Sequence, residues 1–579
     1  MTLTPTPTTS ASLALRRADF DTLWEGLDYA ARGDAGFNFF SARGELLHVL
    51  SYRELRDSAR DLAQRLAGLG LARGDRMVMI ADTVPDFCVT FMATQYVGIV
   101  PVPVAIPTGL GGRAAYIAQL RHQIEGCSAK LAWAPDDLLP FLREATEGMA
   151  LTMVGGSADF AALPAGGDLA PFSGEEPSYL QYSSGSTRFP KGIDIPQRVL
   201  LANTHAISNF GLQVRDGDRC SSWLPFYHDM GLVGFVLTPI LTQMSVDYMA
   251  TRDFARRSLT WLQLIAQHGG TLSYSPSFGY DLCVRRMRDG AFQGDLSSWR
   301  AAGIGGDMVQ PAVLKRFSDT FAPFGFRETA FCPSYGMAET TLAMTFAPLE
   351  ETYLLDTVSR DALERDRAEA AAPGANSRSF IACGPALPGH QIEIRDANGK
   401  PLPERQIGRV FFKGPSVMRG YYNQPDLTRE TLSPDGWLDT GDRGYLLDGQ
   451  IVITGRAKDL IILNGRNIWP QDLEWAAEDG IAELRRGDVA AISVENPQEE
   501  DAERIVVLVQ CRTSDAEARA KLQREVAAVL QKAMAVEASV VLVPPHGLPQ
   551  TSSGKLSRAK AKANFLGGAY TQADAAASV

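Results

Sequence analysis

Apolar residues recur along this chain with two periods, and the switch between them marks its elements. After Ser51-x-x-Glu54, a capping-box pattern, Leu55, Ala59, Leu62 and Leu66 return at helical spacing until Gly68 and Gly70 stop the run. Residues 76–81 follow as a short apolar strand. Strands and helices keep alternating in this way, which predicts a mainly α/β large domain. Near residue 390 the texture changes. Residues 391–395 alternate, Asn398-Gly399 offers a turn, and 410–412 reads as another strand. Residues 445–447, Asp448-Gly449 and 451–453 then spell a tight hairpin that ends at Gly455-Arg456. Beyond it, strands at 489–494, 505–509 and 539–543 and a helix at 516–534 predict a smaller unit, with the boundary close to Arg456.

Composition narrows the classes. A chain of 579 residues is too long for one core. Its hydrophobic share of 45% and charged share of 21% are those of an ordinary globular protein. The formal net charge of −11 argues against a non-specific nucleic-acid binder. The cysteines (Cys88, Cys127, Cys220, Cys283, Cys332, Cys383 and Cys511) include no Cys-x-x-Cys pair. Zinc and dithiol chemistry therefore have no support, and scattered thiols suit a reducing cytoplasm. The Thr/Pro/Ser-rich start lacks the basic and apolar regions of a secretory signal and is expected to be a disordered tail over 1–17. An uncharged run at 89–107 holds three prolines, which predicts a buried helix–strand segment and no membrane span. The charged, then Ala-rich stretch 350–379 reads as a loop or short helical excursion inserted into the large domain.

The most informative stretch is 182–192, Tyr-Ser-Ser-Gly-Ser-Thr-Arg-Phe-Pro-Lys-Gly. Ser183, Ser184, Ser186 and Thr187 supply donors, Gly185 and Gly192 permit close backbone approach, and Lys191 adds a mobile cation. Such a loop can wrap a polyphosphate. It is not the common P-loop, because Pro190 precedes Lys191 and Gly192 follows it. Further islands add chemistry. Ser334-Tyr335-Gly336-Met337-Ala338-Glu339 joins an aromatic that can stack on a purine to a carboxylate that can hold Mg²⁺. Asp439-Thr440-Gly441-Asp442 places two carboxylates in a turn, where the plain reading is an Asx turn and the functional one a grip on ribose hydroxyls. Gly455-Arg456-Ala457-Lys458-Asp459 falls on the expected boundary, and Thr551-Ser552-Ser553-Gly554-Lys555 is a second Gly-Lys loop. Residues 224–232 set His228 beside an apolar helix. Alone, each of the last three has an ordinary reading as surface charge, flexible lysine or structural histidine.

Together and in this order, the islands resemble the adenylate-forming superfamily of acyl-CoA synthetases, adenylation domains and luciferase. The closer resemblance is to the fatty acyl-AMP ligases, carried by residues 224–232, 276–282, 295–300 and 455–474 and by the position of the segment 350–379. The resemblance implies an α/β fold with a large N-terminal domain over 18–455, containing α/β subdomains and a small β-barrel-like part. A small mobile α+β C-terminal domain would cover 456–567, with a loose tail over 568–579. It implies ATP and Mg²⁺ as cofactors, a fatty acid as substrate and an acyl carrier protein, or the carrier domain of a polyketide or peptide synthase, as partner. By the same resemblance, Ser183 to Lys191 would hold the β and γ phosphates. Tyr335, within 334–337, would stack on adenine against Gly305, Gly306 and Asp307. Glu339 would bind Mg²⁺, Asp442 and Arg456 the ribose, and His228 would sit by the substrate carboxylate. Lys458 would be the hinge and Lys555 the mobile catalytic lysine. The insertion at 350–379 would restrain the swing of the small domain. Gly306-Asp307 stands where the family usually shows Ala-Glu, and Arg188-Phe189 is bulkier than the family's phosphate loop. The runner-up reading is a medium- or long-chain acyl-CoA synthetase, and a silent nucleotide-binding scaffold is the alternative outside enzymes.

Overall fold

A computed structural model describes residues 13–107, 112–183, 190–374, 376–463, 466–495, 503–534, 536–551 and 555–570. Its centre is an eight-stranded sheet. In spatial order the strands are Ala343–Phe346, Phe331–Gly336, Ala301–Ile304, Leu272–Ser275, Arg219–Ser222, Ser245–Met249, Gly36–Phe40 and Leu46–Ser51. All of its internal pairs are parallel, and only the two outermost strands run antiparallel. A second, all-parallel sheet joins Val100–Val104, Arg76–Ile80, Leu131–Trp133 and Met153–Gly155. Helices cover these sheets, as parallel strands buried on both faces require.

The local readings hold in detail. Ser51 caps the helix Tyr52–Ala67 by accepting the Glu54 N–H, and Gly68 follows its last turn. The helix buries Leu55, Ala59, Ala63 and Leu66 on one face. The run at 89–107 becomes the buried helix Pro85–Val97 and the strand Val100–Val104. Among the described residues no helix is long and apolar enough to cross a membrane. All seven cysteines are buried and unbonded to one another.

The barrel-like part takes the form of a four-stranded antiparallel sheet, Gln391–Arg395, Gly408–Lys413, Leu438–Leu447 and Gln450–Arg456. Its last hairpin turns on Asp448 and Gly449, both with positive φ, which is the geometry of a two-residue primed turn. The smaller unit has its own sheet, Val489–Glu495, Glu503–Gln510 and Ala538–Val543, packed by the helices Pro470–Gly480, Ala516–Met534 and Arg558–Leu566. A separate apolar core, with Leu473, Val507, Val526 and Leu542, holds it together.

Three expectations are corrected. The segment 350–379 is neither a loop nor a helical excursion in the main. Leu355–Ser359 and Ser377–Ile381 pair antiparallel, and only Arg360–Leu363 is helical. Charged Asp356 and Arg378 on the buried faces hid the strands, whose pairing is held by tertiary contacts with the Tyr445–Val452 hairpin core. Residues 13–17 are tied to the body rather than loose: the Arg16 N–H donates to Gln243 (2.7 Å) and Arg17 Nε to the Val214 carbonyl (2.7 Å). At the other end Tyr570 lies beyond the expected last packed residue, yet it is buried in the smaller unit and bonds the Gly547 carbonyl (3.2 Å).

Candidate active site

One cavity of about 930 Å³ opens where the large unit meets the smaller one. Ser183, Lys191, His228, Gly305, Gly306, Asp307, Ser334, Tyr335, Gly336, Met337, Glu339, Asp442, Arg456, Lys458 and Lys555 all line it. Residues more than 370 positions apart thus converge on a single space. Ser184, Gly185, Ser186 and Thr187 lie outside the described residues. The strands on either side of them, Pro177–Ser183 and Lys191–Pro196, pair so that Ser183 stands opposite Lys191 at the loop's mouth.

Strand register builds one wall. Asp442 and Arg456 are direct partners across the last hairpin, with Arg456 Nε 3.8 Å from Asp442 Oδ1. The Tyr335 hydroxyl, from the end of strand Phe331–Gly336, donates to Asp442 Oδ2 at 2.6 Å. Burial raises the Asp442 carboxyl above its usual range, and Arg456 and Tyr335 oppose this. The Asx reading of the 439–442 turn is realised. Asp439 makes the Asx bond, accepting the Gly441 N–H at 3.0 Å, which frees Asp442 to face the cavity.

Glu339 lines the cavity near Lys191. It is buried, sits on the single turn Ala338–Thr340, and accepts the Tyr421 hydroxyl on Oε1 at 2.9 Å. Burial pushes its carboxyl up, and Tyr421 draws it back. Tyr421 also places its ring 5.0 Å from Lys191 Nζ. Its strand, Gly420–Tyr421, pairs with Lys191–Pro196, so one residue braces both the lysine and the carboxylate. Burial lowers the Lys191 ammonium, Glu339 supports it, and the nearby charge of Lys458 lowers it further. Among the described residues no cluster of three His, Cys, Asp or Glu side chains could cage a metal. A lone carboxylate fits Mg²⁺, which takes few protein ligands and completes its octahedron with water and substrate phosphates.

Lys555 enters from the smaller unit. Its loop is pinned at both ends: the Thr551 N–H donates to the Lys555 carbonyl (2.7 Å) and the Ser557 N–H to the Pro549 carbonyl (2.9 Å). Arg558 then clamps the loop, giving Nε and Nη2 to Glu474 (2.8 and 2.6 Å) and Nη1 to Asp459 (2.8 Å) beside Lys458. Enclosure lowers the Lys555 ammonium, while Asp307, Asp229 and Asp442 sustain its charge. Gly306, with φ +80°, lets the chain pass close to it; a Cβ there would lie 3.8 Å from Lys555 Nζ. Asp307 accepts from the Ser277 N–H and hydroxyl (3.3 and 3.2 Å). Its enclosure pushes the carboxyl up to about 6 against the pull of Lys555. Much of its surface still faces the cavity, so solvent screens part of that effect.

His228 caps the helix Asp229–Leu232 and lies with Nδ1 2.6 Å from Asp229 Oδ1. Asp229 is held below its usual range: burial raises it, but His228 and Lys555 prevail. The same cavity has apolar walls, with Ile207, Leu212, Phe235, Met244, Leu272 and Phe346 among its lining residues. The site therefore combines polar, carboxylate- and lysine-rich walls with apolar ones.

Sequence reasoning missed Tyr421, Asp229 and the Arg558–Glu474–Asp459 clamp. Tyr421 and Glu339 are 82 positions apart, and nothing local to Gly420-Tyr421-Tyr422 announces their bond. Asp229 stood inside the motif that was read for His228, and its adjacency to a histidine was the available signal.

Comparison with known proteins agrees with this geometry. A family model described as AMP-binding enzyme matches residues 39–422. A Caulobacter vibrioides chain that carries a provisional acyl-CoA synthetase name is 50% identical over 570 residues, covering 98% of both chains. A medium-chain-fatty-acid–[acyl-carrier-protein] ligase of Moorena producens, JamA, is 29% identical over 98% of both. A solved structure from a study of fatty acyl-adenylate ligases of E. coli and L. pneumophila superposes with a TM-score of 0.90 at 45% identity, covering 95% of this chain and 99% of that one. Fold and family thus define an ATP-using enzyme of the adenylate-forming class. The chain belongs to the AMP-binding family, and its relatives and structural neighbours place it with the fatty acyl-AMP ligases.

Proposed function

We propose that this enzyme joins a fatty acid to AMP and then hands the acyl group to the phosphopantetheine thiol of an acyl carrier protein. The observation that carries the reading is that Tyr335, Asp442, Arg456, His228 and Lys555 line one cavity together with a set of apolar side chains. In the first step a carboxylate oxygen attacks the α-phosphorus of ATP. The bond from that phosphorus to the bridging oxygen breaks, and pyrophosphate leaves. In the second, the thiol sulfur attacks the acyl carbon, AMP departs with the former carboxylate oxygen, and the thiol proton goes to solvent.

Little covalent work falls to the protein, so its residues position and stabilise charge. Tyr335 and Asp442 orient the nucleoside. Ser183 and Lys191 hold the phosphate tail. His228, steadied by Asp229, meets the acid's carboxylate. Lys555 neutralises the negative charge that builds between the carboxylate and the α-phosphate. Mg²⁺, held by Glu339, would supply charge neutralisation on the leaving pyrophosphate.

The hinge and the restraint belong to the same reading. With the boundary at 456, Lys458 is the pivot and residues 456–567 the moving part. The segment 350–379 is bonded across that boundary. Arg378 lies with Nε 2.9 Å from Asp472 Oδ1 and gives Nη1 to Oδ2 at 3.0 Å. Arg466 bonds Glu364 (2.7 Å), and Asn467 bonds Asp366 (3.0 Å). These ties favour the pose in which Lys555 occupies the cavity and oppose the rearrangement that free CoA would need. Cytoplasmic operation suits the unbonded cysteines.

The Moorena relative's name supports a carrier protein as acceptor, and the Caulobacter relative's name favours CoA. One experiment separates them: ATP, Mg²⁺ and a ladder of fatty acids, with CoA or holo carrier protein, and thioesters read by mass spectrometry. Acyl-carrier product with little acyl-CoA is the expected result. Rapid acyl-CoA formation would overturn the carrier assignment, and no pyrophosphate release with any fatty acid would overturn the adenylation reading.

A further inference from the structure

Apolar walls of the cavity come from two π-helical turns, Ile207–Gly211 and Val233–Leu237, and from the sheet strands that supply Cys220 and Leu272. π-Turns are rare insertions in helices and concentrate at functional sites. Each is secured here: the Leu212 N–H donates to the Ile207 carbonyl (2.7 Å), and the Thr238 hydroxyl to the Val233 carbonyl (2.7 Å).

The glycines in this region differ in what a side chain would meet. At Gly231 a Cβ would sit 2.1 Å from the Pro225 carbonyl oxygen, and at Gly211 it would sit 2.6 Å from the Phe346 ring. Packing forbids a side chain at both. Gly234 is another case. Its backbone is helical, and the nearest atom to a Cβ would be Leu342 Cδ2 at 3.4 Å, an ordinary contact. It is also the only residue of 229–249 that is not buried, because its open face looks into the cavity. Glycine is a poor helix former, so a helix interior with room for a larger residue has no structural reason to keep one. The reason lies in the space beside it.

We propose that Gly234 sets the length of acyl chain this enzyme accepts. Gly234 and Leu342 line the cavity side by side, so a side chain at 234 would project beside Leu342 into the space that the alkyl tail of a longer fatty acid passes on its way toward Cys220 and Leu272. The inference rests on the fatty-acid reading above. A leucine at 234 would occupy the space of roughly four chain carbons, because interiors tolerate little unfilled or doubly filled volume.

The test is pyrophosphate release by the full-length enzyme over a ladder of saturated acids from hexanoic to octadecanoic. Wild type, Gly234→Ala, Gly234→Leu and Gly234→Leu/Leu342→Ala are compared, with ATP affinity and melting temperature measured for each. In Gly234→Leu the ratio of long-acid to short-acid turnover falls about tenfold or more, with the longest accepted acid about four carbons shorter. Gly234→Ala, a smaller change should the leucine variant fold poorly, trims only the longest acids. The added Leu342→Ala restores part of the ratio. A profile that keeps its shape in both single variants, or falls evenly across the ladder, would overturn the proposal while leaving the adenylation reading intact. A wild type that binds ATP but is silent on every acid would overturn both.

Discussion

Asp472 offers the sharpest test of how the two units are held. Its carboxylate is almost fully buried and faces two guanidinium groups from the inserted segment, Arg378 (itself 4% exposed) and Arg360 (3.3 Å). Burial lowers the Arg378 charge's stability, and Asp472 is its first compensating partner. Asp472→Ala removes the only carboxylate of this trio and leaves two cations together. Removing one partner of a buried pair costs about 3–5 kcal/mol. Arg360 is partly exposed and can turn to solvent, which brings the expected penalty toward about 3 kcal/mol. This cost falls on the docked pose and not on either core, because the bonds cross between units. Each 1.4 kcal/mol is about tenfold in an equilibrium, so the docked population should drop by roughly a hundredfold relative to undocked forms. The assay follows acyl-AMP formation and thioester formation separately, with CoA as acceptor, beside a thermal melt. Adenylation should slow and acyl-CoA per acyl-AMP should rise. A variant whose melting temperature falls by several degrees while this product ratio stays constant would show that Asp472 serves folding alone and refute the restraint.

Three further expectations follow from the site. Lys555→Ala should lower pyrophosphate release by about 100- to 1,000-fold while ATP still binds, measured by calorimetry beside a release assay; near wild-type release would remove Lys555 from the chemistry. Tyr421→Phe takes the hydroxyl from Glu339 and leaves the ring over Lys191, so the Mg²⁺ concentration for half-maximal rate should rise several-fold with little change at saturating Mg²⁺; an unshifted titration would separate Glu339 from the metal. The pH profile should carry an acid limb between the ordinary carboxylate range and about 6, the upper bound for the partly screened Asp307, since below it the carboxyl is neutral and no longer draws in Lys555. Asp307→Asn should abolish that limb. In stability the sign is the reverse. The folded carboxyl binds its proton more tightly than an unfolded one, so this group's contribution to stability declines as pH rises from about 4 to 6.

Much of the site was legible in the chain because its parts are local. A Ser/Thr/Gly loop ending in Lys191, the Tyr335-to-Glu339 island and the Gly-Lys loop at 555 each declare a chemistry through residue types a few positions apart. Capping at Ser51, the helix 52–67 and the Asp448-Gly449 turn were legible for the same reason, since hydrogen bonds within a few residues decide them. What stayed hidden depends on pairs far apart in sequence. The Tyr421–Glu339 bond, the Tyr335–Asp442 bond and the Arg558 clamp exist because strand register and domain docking bring their backbones together. The strands at 355–359 and 377–381 were hidden because charged Asp356 and Arg378 share the buried faces with Val358 and Phe380, which erases the apolar period of two, and their pairing is stabilised from outside.

The sequence by itself thus determined the family and supplied the candidate groups, since functional groups travel with their residues. Only the tertiary structure decided that those groups share one cavity and that Arg378 and Arg360 grip Asp472 across the two units. It also decided that a side chain at Gly234 would meet Leu342 at an ordinary contact distance beside the cavity, while one at Gly231 or Gly211 would strike packed atoms. The physical reason is that empty volume and docking contacts belong to no residue. They are left or made when distant segments pack, and a period or a motif records neither.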